Sequence, residues 1–219
     1  MGRELRYFEY GDEETSYLAA RDPRMAEAIE AVGFIRREVH PDLFAALVNA
    51  IMGQQISTKA QATIWKRMTD SLGDVTPECI DALSNDELQA FGLSFRKVSY
   101  IKGAAKRVLA GELDLDAIAA LPDDEVRREL SGLPGIGAWT AEMLMTFSLQ
   151  RPDIMSFGDL AIQRGLRMLH HHRRITPELF AKYRRRYTPY GSVASLYLWE
   201  VAGGAIPGMK DWAPKGGKK

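Results

Sequence analysis

Apolar residues return at three- and four-residue spacing along nearly the whole chain, and alternation at spacing two is hardly visible. That is the helix period, so the chain has to bury its apolar side chains as one face of successive helices. The runs open on helix-start signals: Asp22-Pro23, Pro41-Asp42, Ser57, Thr76-Pro77-Glu78, the capping box Ser84-Asn85-Asp86-Glu87, Ser94, Pro122-Asp123-Asp124-Glu125 and Thr176-Pro177-Glu178. Their side-chain oxygens, or a missing N–H, suit the unpaired amides of a first turn. Gly73, Gly92, Gly132 and Gly203 read as stops. The expectation is an all-α fold of about ten short helices joined by tight turns.

With 219 residues and 46% hydrophobic content, the chain can bury a substantial core, as one domain or as two small lobes. Helices from Leu43 to Ser131 and from Ala138 to Gly203 can form such lobes, which makes the segment 131–137 the place to look for a cleft. The single cysteine, Cys79, excludes an internal disulfide and any all-cysteine zinc or iron–sulfur site within this chain, and it fits a reducing compartment. No apolar run approaches the roughly 20 residues of a membrane span, and the N-terminal MGRELRYFEYGDEETSY lacks a signal-peptide core. A soluble, intracellular protein without a membrane partner is expected. Residues 208–219, rich in Gly, Lys and Pro, read as a flexible basic tail.

The formal net charge is zero, but it is unevenly spread. Between Arg164 and Arg186 lie Arg164, Arg167, Arg173, Arg174, Lys182, Arg184, Arg185 and Arg186 against one acid, Glu178, with His170, His171 and His172 among them. A second acid-free stretch, Gln89 to Gly111, carries Arg96, Lys97, Lys102, Lys106 and Arg107. Two readings fit: a basic face for nucleic acid, or solvated helix faces. Three consecutive histidines diverge around a helix axis, so they read as dipole partners at a basic helix end and not as a metal site.

Leu133-Pro134-Gly135-Ile136-Gly137 joins two helical patterns, one ending at Leu130 and one starting at Ala138. Two glycines around an apolar pin permit a turn whose backbone amides point outward at a helix start, a receptor for a phosphate oxygen. Taken alone, an ordinary interhelical turn explains it as well. Asp159 precedes the amphipathic run Leu160-Ala161-Ile162-Gln163-Arg164, where a cap role and a functional role are both available to it.

The run LPGIGAWTAEMLMTFSLQRPDIMSFGDLAIQRG resembles the signature of the helix-hairpin-helix (HhH-GPD) DNA glycosylases, and within them the AlkA-type 3-methyladenine DNA glycosylase II branch. Ile51-Met52-Gly53-Gln54-Gln55-Ile56-Ser57 and Gly92-Leu93-Ser94-Phe95-Arg96-Lys97 are similar to that branch too, so the likeness spans roughly Asp42 to Trp199. The resemblance implies an HhH-GPD fold over residues 1–207, with lobes 42–131 and 1–41 plus 138–207 flanking a DNA-binding cleft, and without the N-terminal β-domain that some members add.

It also implies roles. Asp159 is the catalytic carboxylate, although many members carry a second acid where Gly158 stands. Trp139 and Tyr190 line the base pocket, with Trp199 further back; Gln55, with Gln54 beside it, fills the gap left by the flipped base. Gly135, Ile136, Gly137, Thr140 and Arg164 hold the DNA backbone, and the carbonyls of Ser131, Leu133 and Gly135 can hold a structural Na+ or K+. No cofactor and no iron–sulfur cluster is required. The lyase members carry a lysine two residues beyond the hairpin glycine, where this chain has Trp139, which points to a monofunctional hydrolase. The implied partner is double-stranded DNA with alkylated bases, bound by a monomer in the cytoplasm or nucleoid of a prokaryote, or the nucleus of a eukaryote. Two other readings stay open: a non-catalytic DNA-binding module, and a glycosylase for oxidised or mismatched bases.

Overall fold

The computed structural model describes residues 5–214. Among them are thirteen helices and one antiparallel pair of two-residue strands, β1 (Arg6–Tyr7) with β2 (Glu38–Val39). The expected all-α class holds. Strands this short cannot display alternation, which is why the pattern did not reveal them.

The chain divides into two compact units. The first is discontinuous: it takes the described residues through Val39 and those from Gln150 onward. It holds α1 (Asp12–Arg21), α2 (Pro23–Val32), α11 (Leu160–His170), α12 (Pro177–Tyr187) and α13 (Gly191–Gly203). Its centre is α13, buried at ten of thirteen positions, a helix that has to be covered on every side. Gly165 lets α11 approach it closely, because a Cβ there would lie 2.3 Å from the Leu198 carbonyl oxygen.

The second unit, His40–Leu149, is continuous and holds α3 (Leu43–Gly53), α4 (Thr58–Leu72), α5 (Pro77–Ala82), α6 (Asn85–Ala90), α7 (Phe95–Leu109), α8 (Leu115–Ala119), α9 (Asp123–Ser131) and α10 (Ala138–Phe147). Here α3 is the central helix, buried at eight of eleven positions. The expected lobes, ending at 131 and resuming at 138, differ from the division at Leu149/Gln150, since α10 packs on α9 and α3 and so belongs with them.

Cap chemistry accounts for most of the starts. Asp22, Asp42, Ser57, Thr76, Ser84, Ser94 and Thr176 each accept a first-turn amide as expected, and Asp114 and Asp159 do likewise for α8 and α11. Two residues of the expected tail are held in place: Asp211 pairs with Arg167 of α11, and the Trp212 ring lies 4.8 Å from that of His171, the C-cap of α11. Residues 215–219 lie outside the described residues. No described helix is long and apolar enough to cross a membrane.

Candidate active site and DNA-binding hairpin

Asp159 is the N-cap of α11, and its side chain is 6% exposed. Oδ1 accepts the amides of Ala161 at 2.8 Å and Ile162 at 2.9 Å, which anchors that oxygen at the helix mouth. Asp159 therefore caps α11 with a nearly buried carboxylate.

The loop that delivers Asp159 is riveted to the start of α13. The Asp153 carboxylate accepts the Gly191 amide at 3.1 Å, Ser192 N donates to the Pro152 carbonyl at 2.9 Å, and the Ser192 hydroxyl donates to the Arg151 carbonyl while accepting the Ile154 amide at 2.9 Å. Ser195 adds a bond to the Ile154 carbonyl at 3.1 Å. Asp153, Ser192 and Ser195 were not singled out from sequence, because their partners lie 38 to 41 positions away.

Tyr190 caps the other side of that junction. Its hydroxyl donates to Glu13 at 2.7 Å and its ring meets Tyr17 edge-on at 5.1 Å. The Glu13 hydrogen bond pushes its hydroxyl up to about 12, so the ring is a neutral phenol at physiological pH. Trp199, on α13, is half-buried.

The hairpin in the second unit runs from α9 through 132–137 into α10. Leu133 and Ile136 are buried, and the Ile136 amide donates to the Leu133 carbonyl at 3.0 Å, so Ile136 is the pin of the turn and its own N–H is committed inside it. Gly135 has φ +86°, and a Cβ there would meet the Tyr100 ring at 2.5 Å. Gly137 is the N-cap of α10 and offers no side chain to the first-turn amides, while Gly137, Ala138 and Trp139 are exposed. Those amides are the donors an anion can take. Thr140, expected at the DNA backbone, is instead buried at 9% exposure, since the third position of α10 turns its side chain toward the core.

The two glutamines separate. Gln54 reaches across to the hairpin, its Nε2 donating to the Gly135 carbonyl at 2.6 Å. Gln55 is exposed in a left-handed conformation, φ +58°, which a residue with a Cβ adopts at a cost. Lys97 holds this turn, donating Nζ to the carbonyls of Met52 at 2.8 Å and Gln54 at 2.7 Å, and burial lowers its pKa. Thus α7 presents Lys97 to the Gln54–Gln55 turn and, one turn on, Tyr100 to the hairpin.

The basic stretch is less open than its composition suggests. Arg186 pairs with Asp22 at 2.7 Å and Arg167 with Asp211 at 2.7 Å, while Arg164 Nε is 3.8 Å from the same Asp211. Burial pushes His170 down to about 4, so it is neutral, and its Nε2 lies 3.1 Å from the Tyr187 hydroxyl. The dipole role expected of the three histidines does not extend to it. Among the described residues no group of three or more His, Cys, Asp or Glu is placed to hold a metal ion.

Residues 48–189 match the family model described as HhH-GPD superfamily base excision DNA repair protein. The sequence is similar to DNA-3-methyladenine glycosylase 1 of Schizosaccharomyces pombe, 32% identical over 194 residues that span 85% of each chain. It is also similar to DNA-3-methyladenine glycosylase 2 of Escherichia coli, 26% identical over 175 residues covering 74% of this chain and 58% of that one. The fold matches the crystal structure of DNA-3-methyladenine glycosidase from Bacillus halodurans with a TM-score of 0.79, at 35% identity over 90% of this chain and 93% of that one. It matches the 3-methyladenine DNA glycosylase of Schizosaccharomyces pombe in complex with abasic DNA with a TM-score of 0.75, at 28% identity over 89% and 98%. With its hairpin, its capping aspartate and these likenesses together, the chain belongs to the HhH-GPD superfamily of base excision DNA repair proteins.

Proposed function

We propose that this protein is a monofunctional DNA glycosylase of base excision repair that flips alkylated purines, of the 3-methyladenine and 7-methylguanine type, out of duplex DNA and hydrolyses their N-glycosidic bond. The observation that carries this is the Asp159 carboxylate, nearly buried and oriented by two amides at the head of α11.

As the C1′–N bond breaks, its electron pair leaves with the base, which departs neutral because the alkylated ring was cationic. Positive charge develops on the deoxyribose, where a fixed carboxylate lowers the barrier. Water adds to C1′ and loses its proton to Asp159 or to solvent. Trp139, half-exposed, and Tyr190 supply the electron-rich faces that attract a cationic base. Gln55, projecting from its pinned turn, fills the vacated stack, while Gln54 braces the hairpin. The first-turn amides of α10 at Gly137, with Gly135 and Arg164, hold backbone phosphates without reading sequence.

The proposal includes a monovalent cation in the hairpin, which the carbonyls of Ser131, Leu133 and Gly135 would hold; the buried Ser131 hydroxyl, which has no hydrogen-bond partner, supports it. The Gly135 carbonyl would share its second lone pair with it, the first being taken by Gln54. Such an ion supplies positive charge next to the phosphate. The reading is of a monomer that works in the compartment holding the DNA.

The test is release of free base from methylated duplex by wild type and Asp159→Asn, with sodium borohydride added in a parallel arm and tetramethylammonium replacing K+ in another. Asp159→Asn should release no base yet bind lesion DNA within about tenfold of wild type, because the carboxylate acts on transition-state charge. The wild type should leave an intact abasic strand and no trapped adduct, and should bind more weakly without K+. A fully active Asp159→Asn would remove the catalytic assignment. A trapped protein–DNA species would show that an amine does the chemistry, and a wild type that binds but releases nothing would leave a DNA-binding module.

A further inference from the structure

Asp211, in the irregular segment that follows α13, is held as an oxyanion would be. Arg167 donates Nε to Oδ1 at 2.8 Å and Nη2 to Oδ2 at 2.7 Å, Arg164 Nε lies 3.8 Å from Oδ2, and the Ala213 amide donates to Oδ1 at 3.0 Å. A planar fork that fits a carboxylate fits a phosphodiester equally well. The Arg167 bond holds the Asp211 carboxyl below the usual carboxylate range, so the mimic is an anion at any pH at which DNA binds.

The position matters as much as the chemistry. Leu160, Arg164 and Arg167 fall at spacings of four and three, and so share one face of α11, the helix that Asp159 caps. Leu160 is 79% exposed, so that face is open at the end nearest the carboxylate. At 1.5 Å per residue, Arg164 and Arg167 stand about 7 and 12 Å along the axis from Asp159. Both arginines are thus near enough to the carboxylate for their long side chains to meet backbone phosphates of a strand whose base is bound at Asp159.

We propose that Arg164 and Arg167 form a phosphodiester-binding site that Asp211 occupies in the free protein and surrenders to the DNA backbone. The inference rests on the reading of this protein as a DNA enzyme. The exchange trades like for like: a phosphodiester would take over the fork that Asp211 now occupies, and the segment's other contact here is Trp212, 47% exposed against His171 just past the end of α11, while the Arg164 side chain is 53% exposed. The 3.8 Å contact from the exposed Arg164 is weak and screened by salt, whereas the two-bond Arg167 pair, with side chains 18% and 25% exposed, is the stronger grip that a phosphate has to replace in kind. Self-occupancy lowers affinity for any duplex by the fraction of molecules in which the site is filled.

Binding of the full chain to an unmodified duplex, followed by fluorescence anisotropy over a salt series, tests this without reference to catalysis. Asp211→Asn removes the mimic, and Trp212→Ala loosens the segment with no change of charge. Both should bind about twofold to fivefold more tightly at low salt, and Asp211→Asn should steepen the dependence of log K on log salt by about 1. Both gains should vanish in Arg164→Gln/Arg167→Gln. The proposal is overturned if either variant binds no more tightly than wild type, if only Asp211→Asn gains, or if the gain survives loss of the arginines, which would mark a general charge effect. Base release from methylated DNA, measured alongside, separates the two claims: its persistence with any of those results removes the Asp211 exchange alone, whereas a wild type that neither binds duplex nor releases base removes both.

Discussion

Gln54 and Gln55 are adjacent and alike in type, yet one is structural and the other is displayed. Gln54 spends its amide on the Gly135 carbonyl, and Gln55 stands exposed in a left-handed turn. Gln54→Ala should cost about 1 kcal/mol, the net worth of a part-buried hydrogen bond, and should weaken duplex binding because the hairpin loses its brace. Gln55→Gly should relieve the positive φ and leave stability equal or higher, while base release falls on the order of tenfold for want of a gap filler. Thermal unfolding and single-turnover base release distinguish them; equal effects of the two on both readouts would refute the division of labour. The sequence marks the pair but not its split, because the deciding partners, Gly135 and Lys97, lie 81 and 43 positions away. Asp159 was legible for the opposite reason: its cap bonds close within three residues. The burial of the Thr140 side chain was not legible, because a hairpin motif fixes which residues occur and not which side of α10 faces inward.

Most helix starts that carry a Ser, Thr or Asp cap were legible, but α1, which opens on Gly11, the five-residue α8, whose Asp114 cap is local yet was not read, and the β1–β2 pair were not. Packing between helices is where glycines part ways. Gly165→Ala would drive a Cβ into the α13 backbone at Leu198, and the helix that bears Asp159 would have to shift, at about 2–3 kcal/mol. Gly103→Ala on α7 meets nothing within 4 Å and should instead stabilise by about 0.5–1 kcal/mol through helix propensity. Denaturant midpoints of the two variants should move in opposite directions. A second element-level effect joins α2, α11 and α12. Burial drives His170 down to about 4 from an ordinary 6.5, against Asp22 and beside His172, Arg186 and Arg24, with Tyr183 stacked on the ring. The unfolded chain takes up this proton first, so stability should fall as pH drops through 6.5 and on toward 4, by at most about 1.4 kcal/mol per pH unit. Asp22 adds to the fall: its carboxyl is held low by Arg186, His170 and Tyr187 against the desolvation that would raise it, and that contribution is lost as acid protonates it. His170→Gln should flatten the slope between pH 6.5 and 4.5 in urea melts, a window above the range in which Asp22 titrates; an unchanged slope there would show that His170 does not carry it.

At the scale of the whole molecule, the residues proposed for the site come from both units: Asp159, Arg164, Arg167 and Tyr190 from the discontinuous one, and the hairpin, Trp139, Gln54, Gln55 and Lys97 from the continuous one. The hairpin unit has its own buried centre in α3, and its Leu47, Val48, Ile51 and Met52 are each at most 1% exposed. Its polar turns are closed from within: Lys97 and Gln54 serve the Gln55 turn and Gly135, and Tyr100 backs the hairpin. A continuous stretch of 110 residues, His40–Leu149, with a core and satisfied turns of its own, is above the size at which domains fold unaided. Expressed alone, 40–149 should therefore unfold cooperatively and bind unmodified duplex with a salt-dependent affinity, since backbone contacts need no sequence and no flipped base. It should release no base, because the carboxylate is absent from it. Circular dichroism melts, anisotropy and a base-release assay on the same preparation decide the matter. Loss of a cooperative transition would show that α3 depends on the other unit for its burial. Base release by the fragment would place the chemistry in the hairpin unit and take it away from Asp159.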